Sequence, residues 1–406
     1  MSKIGMIQHI EQGSVTLPKG FHAGGLHCGL KRKRKDLGWL YSEQPAVAAA
    51  VYTTNAYQAA PLLVTKDSIA VEQKLQGVLV NSAYANACTG QPGLDDAYDM
   101  RRLIAEKWGV PEHLVAVSST GVIGERIPMD KLKAGIAQAV QPEHQGVEHF
   151  EEAILTTDTC TKHYAVQLEV DGRVVTIGGA AKGSGMIHPN MATMLAFITT
   201  DACVEQTYLL QALREVTDQS FNMITVDGDT STNDMVLVLA NGQAIHHPLS
   251  PPHPDWDLFK TGLAVVSREL AKQIARDGEG ATRLIEVQVK GAPSEQVAKA
   301  VGKAIIGSNL VKTAVYGKDP NWGRIVCAIG YSGQVFNPEQ VQVKIGPVTV
   351  VDQGLPVPFN EAEASAALGE ETVTIEVNLN QGDGKATAWG CDLTYDYIKI
   401  NALYRT

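Results

Sequence analysis

Two things are scarce in this chain of 406 residues, namely positive charge and long hydrophobic runs. The formal net charge is −10, which disfavours nucleic acid as a partner because like charges repel. The run that comes nearest to membrane-spanning length, AVAAAVY at residues 46–52, is far too short to cross a bilayer. The first residues also lack the apolar region of a secretory signal. We therefore expect a cytoplasmic protein with no membrane segment and no nucleic-acid partner.

One basic run, KRKRK at residues 31–35, stands against this acidic balance. No second basic cluster accompanies it, and the sequence Asp-Leu-Gly follows it directly. Such a pattern is more typical of a solvated hairpin loop than of a nucleic-acid or targeting site.

Paired cysteines are also missing. The six cysteines are widely separated, and no two of them form a C-x-x-C pair. A chain of this length can bury a core without a disulfide framework. We therefore predict reduced, mostly buried thiols.

Motifs of the common cofactor sites are absent as well. No G-x-G-x-x-G opens a helix, and in GGAAKGSG at 178–185 the lysine precedes the glycine, which reverses the order of a P-loop. The stretch DGDTSTND at 227–234 lacks the Gly and Glu of a calcium loop, so we interpret it as a turn capped by side chains. The histidine pairs 22/27 and 144/149 have no accompanying Cys pair or H-E-x-x-H helix. We expect no metal and no bound cofactor.

Short apolar runs are mixed with amphipathic stretches along the whole chain, which predicts the α/β fold class. Five amphipathic segments predict helices, at 95–108, 129–139, 207–219, 259–276 and 294–308. Nine apolar or alternating runs predict strands, at 46–53, 76–80, 164–170, 174–177, 194–198, 235–240, 284–289, 341–345 and 372–379.

The segment GMIHPNMATMLAF at 185–197 places turn-forming residues directly before Thr193 and an apolar run after it. Threonine is a poor nucleophile without a base, and an N-terminal Thr has such a base in its own α-amine, whose reference pKa is about 7.7–8.0. One interpretation is therefore that the chain cuts itself between Ala192 and Thr193, with Pro189 helping to distort the peptide. The other is an ordinary junction between a loop and a strand.

Extended to residue 202, the same segment resembles the signature of the ornithine acetyltransferases, also called glutamate N-acetyltransferases, of arginine biosynthesis. Further blocks match this family in order, so the resemblance covers nearly the whole chain. Two positions depart from the family pattern: Ala83-Tyr84, where Gly-Asn is usual, and Leu403, where a polar or small residue is usual. The matching blocks are PKGF (18–21), AAVYTTN (49–55), NACTG (86–90), SSTG (118–121), VDGDTSTND (226–234), DGEGAT (277–282), DPNWGR (319–324) and KINALYRT (399–406).

The resemblance implies a precursor that cuts itself at the Ala192–Thr193 bond and then uses Thr193 as its nucleophile. It implies transfer of an acetyl group from N2-acetylornithine to glutamate, by a ping-pong route through acetyl-Thr193. Some members of the family also accept acetyl-CoA as donor, and the matching blocks do not separate the two kinds.

The resemblance also assigns roles to other residues. Thr120 and Gly121, after a predicted strand at 114–117, correspond to the oxyanion hole, which stabilises the negative charge that acyl transfer builds on oxygen. Lys182 corresponds to a substrate-binding lysine and offers a cation for an α-carboxylate. Glu279 corresponds to a substrate-binding glutamate and offers an anion for the amines of ornithine.

Three further substrate-binding residues follow from the resemblance. Thr156 matches the substrate-contacting threonine, although the adjacent Thr157 leaves the register open. Asn401 and Thr406 lie in the C-terminal block, which the family folds into the active site. His188 invites a pairing with the nucleophile, but the cut would sever it from Thr193 and the new amine already supplies a base.

The resemblance implies a layered α/β sandwich that spans the cleavage point, with a smaller C-terminal α/β lobe from about 285 to 406. Cleavage would leave an alpha fragment, 1–192, and a beta fragment, 193–406. The fragments should stay associated, because 194–198 predicts a core strand. The family implies an assembly of two copies of each fragment, an α2β2 heterotetramer.

Two other functions remain open at this stage. A related self-cleaving amidase or aminopeptidase would use the same terminal nucleophile but transfer acyl groups to water. A structural or ligand-binding protein would keep the chain intact. A denaturing gel or an intact mass separates the cut chain from the uncut one.

Overall fold

The computed structural model describes residues 6–139, 144–188 and 194–403. Within these ranges it contains sixteen β-strands and eleven α-helices, interleaved along the chain. The strands are β1 Gln8–His9, β2 Phe21–Leu26, β3 Leu37–Tyr52, β4 Lys74–Asn81, β5 Val115–Ser119, β6 Lys162–Val170, β7 Arg173–Lys182, β8 Leu195–Thr200, β9 Ile224–Thr225, β10 Met235–Ala240, β11 Leu284–Ala292, β12 Gln342–Ile345, β13 Val348–Asp352, β14 Leu355–Pro356, β15 Thr372–Asn378 and β16 Gly384–Cys391.

The helices account for most of the remaining chain. They are α1 Ala60–Glu72, α2 Gly90–Trp108, α3 Met129–Gln138, α4 Val147–Ala153, α5 Gln206–Gln219, α6 Trp256–Arg276, α7 Glu295–Ile306, α8 Asn309–Gly317, α9 Trp322–Gly330, α10 Glu361–Ala367 and α11 Tyr395–Leu403. The α/β fold class predicted from the sequence is therefore confirmed.

The first sheet has nine strands in the order β1-β6-β7-β8-β10-β3-β4-β5, with β2 paired to β3. Its central strands β8 and β10 run parallel, and β7 and β3 flank them antiparallel. Consequently the beginnings of β8 and β10 meet the ends of β7 and β3 at one edge of the sheet.

Strand β8 is buried on both faces. Ala196 and Ile198 pack into the core that contains α5 and α6, whereas Leu195 and Phe197 pack into the core on the other face, with α1 and α4. Successive side chains of a strand point to opposite faces, so a strand covered on both sides has a continuous apolar run. The core strand that we predicted at 194–198 is confirmed, and its beginning lies one residue beyond Met194.

The second sheet has seven strands in the order β14-β13-β12-β15-β11-β16-β9. Six of them lie between Leu284 and Cys391, and β9 joins the sheet from residues 224–225, pairing with the end of β16. Helix α7 covers this sheet through Ala298 and Val301, which share one apolar core with α6. Because β9 follows α5 directly, the second sheet is tied to the layer that covers the first.

Most sequence predictions of elements agree with this fold, and helix α2 shows why. It ends before Gly109, which has φ 70° and adopts the left-handed conformation that glycine favours after a helix. The prediction of mostly buried cysteines is wrong, however. All six thiols are free, but only Cys391 is buried, whereas Cys88, Cys160 and Cys327 are exposed. The first two exposed cysteines lie in loops and the third on an exposed side of α9.

The basic run 31–35 lies in the loop that joins β2 to β3, as predicted, but it is not solvated throughout. The ammonium group of Lys31 donates hydrogen bonds to Ser82 Oγ at 2.6 Å and to Leu155 O at 2.5 Å. Burial lowers the pKa of Lys31 to about 8. This lysine is thus a structural tie between three loops rather than part of a basic surface. None of the helices in the described ranges is both long enough and apolar enough to cross a bilayer.

Candidate active site

A cleft opens at the edge of the first sheet where β7 ends and β8 begins. Ile187 and Met194, which lie on either side of the predicted cleavage bond, both line it. Ala192, Thr193 and Thr406 fall outside the described residues. Six residues predicted for the site from the sequence line the cleft together: Thr120, Gly121, Thr156, Lys182, Glu279 and Asn401.

Both flanks of the segment 189–193 are fixed by hydrogen bonds. On one side, the Asp227 carboxylate accepts from Met186 N at 2.7 Å and from Ile187 N at 2.9 Å. On the other side, Met194 O accepts from Met235 N at 2.9 Å, at the start of the pairing between β8 and β10. The predicted cleavage bond is therefore held between two anchored points of the chain.

The loop after β5 offers two hydrogen-bond donors to the cleft. The backbone amide of Thr120 is already used, because it donates to Asn81 O at 3.0 Å. Among the described residues, neither Thr120 Oγ1 nor Gly121 N has a hydrogen-bond partner. A hydroxyl and a backbone N–H without partners among the described residues, both on residues that line one cleft, are the kind of donors that an oxyanion requires.

Only glycine fits at position 121. Its φ of 126° is one that side chains disfavour, and a Cβ there would clash with Ala83 O. The departure from the family pattern at Ala83-Tyr84 leaves this arrangement intact, because the loop is held by main-chain atoms. Val122 N donates to Ala83 O at 3.0 Å, and Tyr84 N donates to Asn81 Oδ1 at 3.1 Å.

Lys182 is the last residue of β7 and is 7% exposed. Among the described residues, no acceptor lies within hydrogen-bond distance of its ammonium group. Burial lowers the pKa of Lys182, and the negative charge of Asp158 partly opposes that effect. A buried cation with no partner at the wall of a cleft is suited to bind an anionic ligand.

Asp158 positions two parts of the site, although sequence analysis did not identify it. Its carboxylate accepts from Thr156 N at 2.9 Å and from Gly183 N at 2.7 Å, and it forms an ion pair with buried Lys162 at 2.7 Å. Lys162 also contacts Asp277 at 2.5 Å. This network holds the chain around Thr156 and directly after Lys182. Thr157 lines the cleft beside Thr156, so the register between them stays open.

Glu279 joins the cleft to the C-terminal helix α11. Its Oε2 accepts from Asn401 Nδ2 at 2.7 Å, and its backbone N donates to Ser184 O at 3.0 Å. The flanking Gly280 has φ 70°, and a Cβ there would lie 2.6 Å from Tyr397 N, so glycine is what allows α11 to approach.

Sequence analysis assigned no binding role to the loop 227–234, which lines much of the cleft. The prediction of a turn capped by side chains is confirmed, because Asp227 Oδ1 accepts from Asp229 N at 3.2 Å. Asn233 ties this loop to the Thr120 side of the cleft, because its Nδ2 donates to Ala85 O at 2.6 Å and to Ser119 O at 2.7 Å. The sequence signal that could have identified this loop as part of the site was the block VDGDTSTND at 226–234, which carries part of the family resemblance.

One residue of that loop has an unusual environment. Asp234 is 3% exposed, and its Oδ2 is buried with no hydrogen-bond partner. Burial raises the pKa of Asp234 well above its usual range, although a hydrogen bond from Ser231 and the charge of Lys182 oppose the shift. A carboxyl oxygen without a partner is costly to bury, which makes this residue a candidate for a functional role.

His188 is held by hydrogen bonds through its ring and its main chain. Its Nδ1 pairs with Thr225 Oγ1 at 3.1 Å, and burial lowers the pKa of its imidazole. Its backbone carbonyl accepts from Thr230 Oγ1 at 2.9 Å. These contacts make His188 another anchor of the flank that precedes the predicted cleavage bond.

Within the described ranges, one group of side chains could in principle hold a metal ion: Asp171, His253 and Asp255. Its atoms already bond one another. His253 Nδ1 accepts from Asp255 N at 3.1 Å, so the ring proton sits on Nε2, which faces Asp171 at 3.3 Å. A protonated nitrogen cannot ligate a metal. The group is a hydrogen-bonded surface turn, and none of its members lines the cleft.

Comparison with known proteins gives a consistent result over the whole chain. A model described as the ArgJ family matches residues 22–406. The arginine biosynthesis bifunctional protein ArgJ of Oceanobacillus iheyensis is 60% identical over 400 residues, which is 98% of each chain. The protein of the same name from Geobacillus kaustophilus is 61% identical over 398 residues, 98% of this chain and 97% of that protein.

A solved structure agrees with these relatives. The crystal structure of the arginine biosynthesis bifunctional protein argJ from Bacillus halodurans is 57% identical, with a TM-score of 0.51. It covers 52% of the present chain and 100% of its own. From the family match over residues 22–406 and from these relatives, it follows that the chain belongs to the ArgJ family.

Proposed function

We propose that this protein transfers an acetyl group from N2-acetylornithine to glutamate in arginine biosynthesis, through an acetyl ester on Thr193. Thr193 becomes the amino terminus when the chain cuts itself after Ala192. The observation that carries the proposal is the gathering of six predicted site residues, from five separate parts of the sequence, around one cleft whose wall includes both flanks of the segment 189–193.

The names of the relatives support the pathway. Proteins 60 and 61% identical to this chain are named for arginine biosynthesis and called bifunctional. We assign the first activity to transfer from N2-acetylornithine. The second is transfer from acetyl-CoA to glutamate, which would make N-acetylglutamate without a donor from later in the pathway.

The length of the solved relative supports the cut. Its whole chain matches only 52% of the present one. A fragment that begins at Thr193 would contain 214 of the 406 residues, about 53%. A mature chain of about half the precursor is what cleavage at Ala192–Thr193 would produce.

The chemistry uses the free groups of the cleft. In the first half-reaction, Thr193 Oγ attacks the acetyl carbonyl and its proton passes to the Thr193 amine. Thr120 Oγ1 and Gly121 N donate to the oxyanion, and one such donor is typically worth roughly 3–4 kcal/mol of barrier. The amide C–N bond then breaks, and ornithine leaves with the proton on its α-amine. In the second half-reaction, the α-amine of glutamate attacks the ester and restores the hydroxyl.

Two charged residues hold the substrate in this scheme. The ammonium group of Lys182 binds the α-carboxylate that both substrates carry, and this anion gives the buried cation its missing partner. Glu279 attracts the side-chain amine of acetylornithine, with Asn401 fixing one carboxylate oxygen. Thr156 and Thr406 complete the substrate contacts of the proposal. The assembly is two copies of each fragment in the cytoplasm, and it needs no cofactor, with acetyl-CoA acting as a co-substrate only.

An intact mass measurement tests the cut first. Purified wild-type protein should give two fragments, one ending at Ala192 and the other beginning at Thr193, whereas Thr193→Ala should give only the full-length chain. His188→Gln is the matched control, and we expect it to be cut, because the imidazole takes no part in the proposed step and glutamine can still donate to Thr225 Oγ1, which holds this flank. An active wild-type protein with a continuous chain, or Thr193→Ala that is still cut at the same bond, would overturn the proposal.

The transfer itself is tested with labelled acetyl donors. Labelled acetylornithine without glutamate should place one acetyl group on the peptide that begins with Thr193, and added glutamate should then release it as N-acetylglutamate. Acetyl-CoA, offered separately, should support the same transfer. Release of acetate at the same rate with and without glutamate would instead indicate an amidase.

A further inference from the structure

Asp234 is a buried carboxyl group that the proposed chemistry does not use. It is the last residue of the loop 227–234, directly before β10, and it lines the cleft although it is only 3% exposed. Its Oδ2 has no hydrogen-bond partner within the described part of the chain. Leaving a buried polar group unpaired is costly, so a fold that keeps one has a use for it or acquires its partner later.

The groups around Asp234 do not supply that partner. From β3, Thr53 N donates to the main-chain oxygen of Asp234, and Tyr52, whose pKa is raised by burial, pairs in register with Met235. From β7, Lys182 acts on Asp234 electrostatically without forming an ion pair. Burial raises the pKa of Asp234 and so favours its neutral form.

The sheet places Asp234 next to the predicted cleavage bond. β8 and β10 are parallel, with Leu195 opposite Met235, so one step back on each strand puts Met194 beside Asp234. Met235 N donates to Met194 O at 2.9 Å, which fixes this register where it begins. Thr193 directly precedes Met194 in the sequence. Consecutive Cα atoms are about 3.8 Å apart, so the residue whose amine the cut would free is the next neighbour of this pair along the chain.

We propose that Asp234 is the partner of the α-amine that cleavage creates on Thr193, and that it acts as a positioning residue for that amine. The inference rests on the proposed function. Hydrolysis consumes one water and breaks the C–N bond, and the proton of the new carboxyl group goes to the new amine, leaving a carboxylate on Ala192 and an ammonium group on Thr193. Asp234 pairs with that ammonium group as a carboxylate, and any proton that Asp234 carried before the cut passes to solvent.

This arrangement links the cut to the activation of the site. Before the cut, burial favours the neutral form of Asp234, which lessens the cost of leaving its Oδ2 without a partner. After the cut the carboxylate holds the amine beside the Thr193 hydroxyl and favours its charged form, because an opposite charge nearby raises the pKa of an amine. Lys182, the other cation of the cleft, opposes this effect. The cut thus creates both the base and the salt bridge that orients it.

Asp234→Asn tests the inference, since the amide has the shape of the neutral acid but cannot become a carboxylate. We expect the variant to be cut as completely as wild type. The acid limb of kcat/KM against pH, with acetylornithine as donor, should shift to lower pH by about one unit or more, because the amine loses its carboxylate. Lys182 must be charged to bind substrate, so its titration belongs to the basic limb.

Asp201→Asn is the matched control. Asp201 is also a buried carboxyl group whose pKa is raised by burial, and it follows the other end of β8. Its carboxylate accepts from Thr176 N at 2.8 Å and Lys19 N at 3.2 Å, so it already has partners. We expect Asp201→Asn to leave the acid limb in place, even where its thermal stability falls.

Each result decides between distinct conclusions. An Asp234→Asn enzyme that is cut but keeps the wild-type acid limb overturns the inference and leaves the proposed function standing. An Asp234→Asn chain that is not cut also overturns it, because the residue would then serve the cleavage step. A wild-type chain that is active without being cut overturns the proposed function, and with it the inference.

Discussion

Two buried lysines, Lys162 and Lys182, lie at the same edge of the first sheet. Among the described residues, Lys162 forms ion pairs and Lys182 forms none. Lys162 opens β6 and Lys182 closes β7, and these strands pair so that Lys162 lies opposite Ala181. Lys162 is fully enclosed and contacts Asp158 and Asp277 at 2.7 and 2.5 Å. Lys182, also buried, has no acceptor within hydrogen-bond distance among the described residues, and it lines the cleft.

The two environments shift the lysine pKa values in opposite directions. At Lys162, burial lowers the pKa, but the charges of Asp158 and Asp277 outweigh burial and raise it. At Lys182, burial prevails and lowers the pKa. The comparison teaches that a buried cation becomes structural when the fold supplies its anions, and becomes a binding group when a ligand must supply them. The α-carboxylate of a substrate would give Lys182 what the two aspartates give Lys162.

The largest effect should follow from Lys162→Met. This change leaves two buried carboxylates without their cation, so we expect the free energy of unfolding to fall by about 3–5 kcal/mol. Urea unfolding measures it best in the uncut Thr193→Ala chain, where a single polypeptide unfolds. Adding Asp158→Asn and Asp277→Asn removes the unpaired charges and should restore part of the loss. A drop below about 1 kcal/mol would contradict a structural role for Lys162.

Lys182→Met should have the opposite effects, namely a large loss of activity and no loss of stability. We expect kcat/KM for acetylornithine to fall about 100-fold, since a charge-assisted hydrogen bond is worth about 1.5–3 kcal/mol and each 1.4 kcal/mol is a factor of ten. The unfolding free energy should stay the same or rise, because an unpaired buried ammonium group is removed. The comparison between the two lysines fails if Lys182→Met unfolds as readily as Lys162→Met while it retains wild-type turnover.

The elements that could be predicted from the sequence are those whose burial leaves a regular apolar pattern. Strands β8 and β10 could be predicted because burial on both faces leaves continuous apolar runs, and α5 and α6 because each has one apolar side. Helix α1 escaped detection since its apolar residues do not fall on one face: Leu63 and Val71 are exposed while Leu62 and Val64 are buried. Strand β16, with the sequence GKATAWGC, has no apolar run to signal it.

The candidate site likewise contains residues that the sequence could identify and residues that only the fold identifies. Thr120, Lys182 and Glu279 could be named from the sequence because family motifs carry them. No sequence pattern points to Lys162, and the block VDGDTSTND does not single out Asp234, since the roles of both residues depend on which partners the fold supplies. Asp277 lies 115 residues along the chain from Lys162, and the missing partner of Asp234 is a property of tertiary packing alone. Local patterns predict elements, whereas charge balance in a core becomes visible only when distant segments meet.

The smallest expected effect concerns pH, and it again separates the two lysines. The folded-state pKa of Lys182 is lowered by burial, so unfolding takes up a proton and stability rises with pH until the unfolded value near 10.5 is reached. The folded-state pKa of Lys162 is raised, so its contribution is complete below about 10.5 and is lost only above that value. Urea unfolding of the uncut chain at pH 7.5, 8.5 and 9.5, at fixed ionic strength, measures these changes in the free energy of unfolding. Across this range wild type should gain stability relative to Lys182→Met, while its advantage over Lys162→Met should stay constant. Parallel pH curves for wild type and Lys182→Met would show that the ammonium group of Lys182 is as well compensated as that of Lys162.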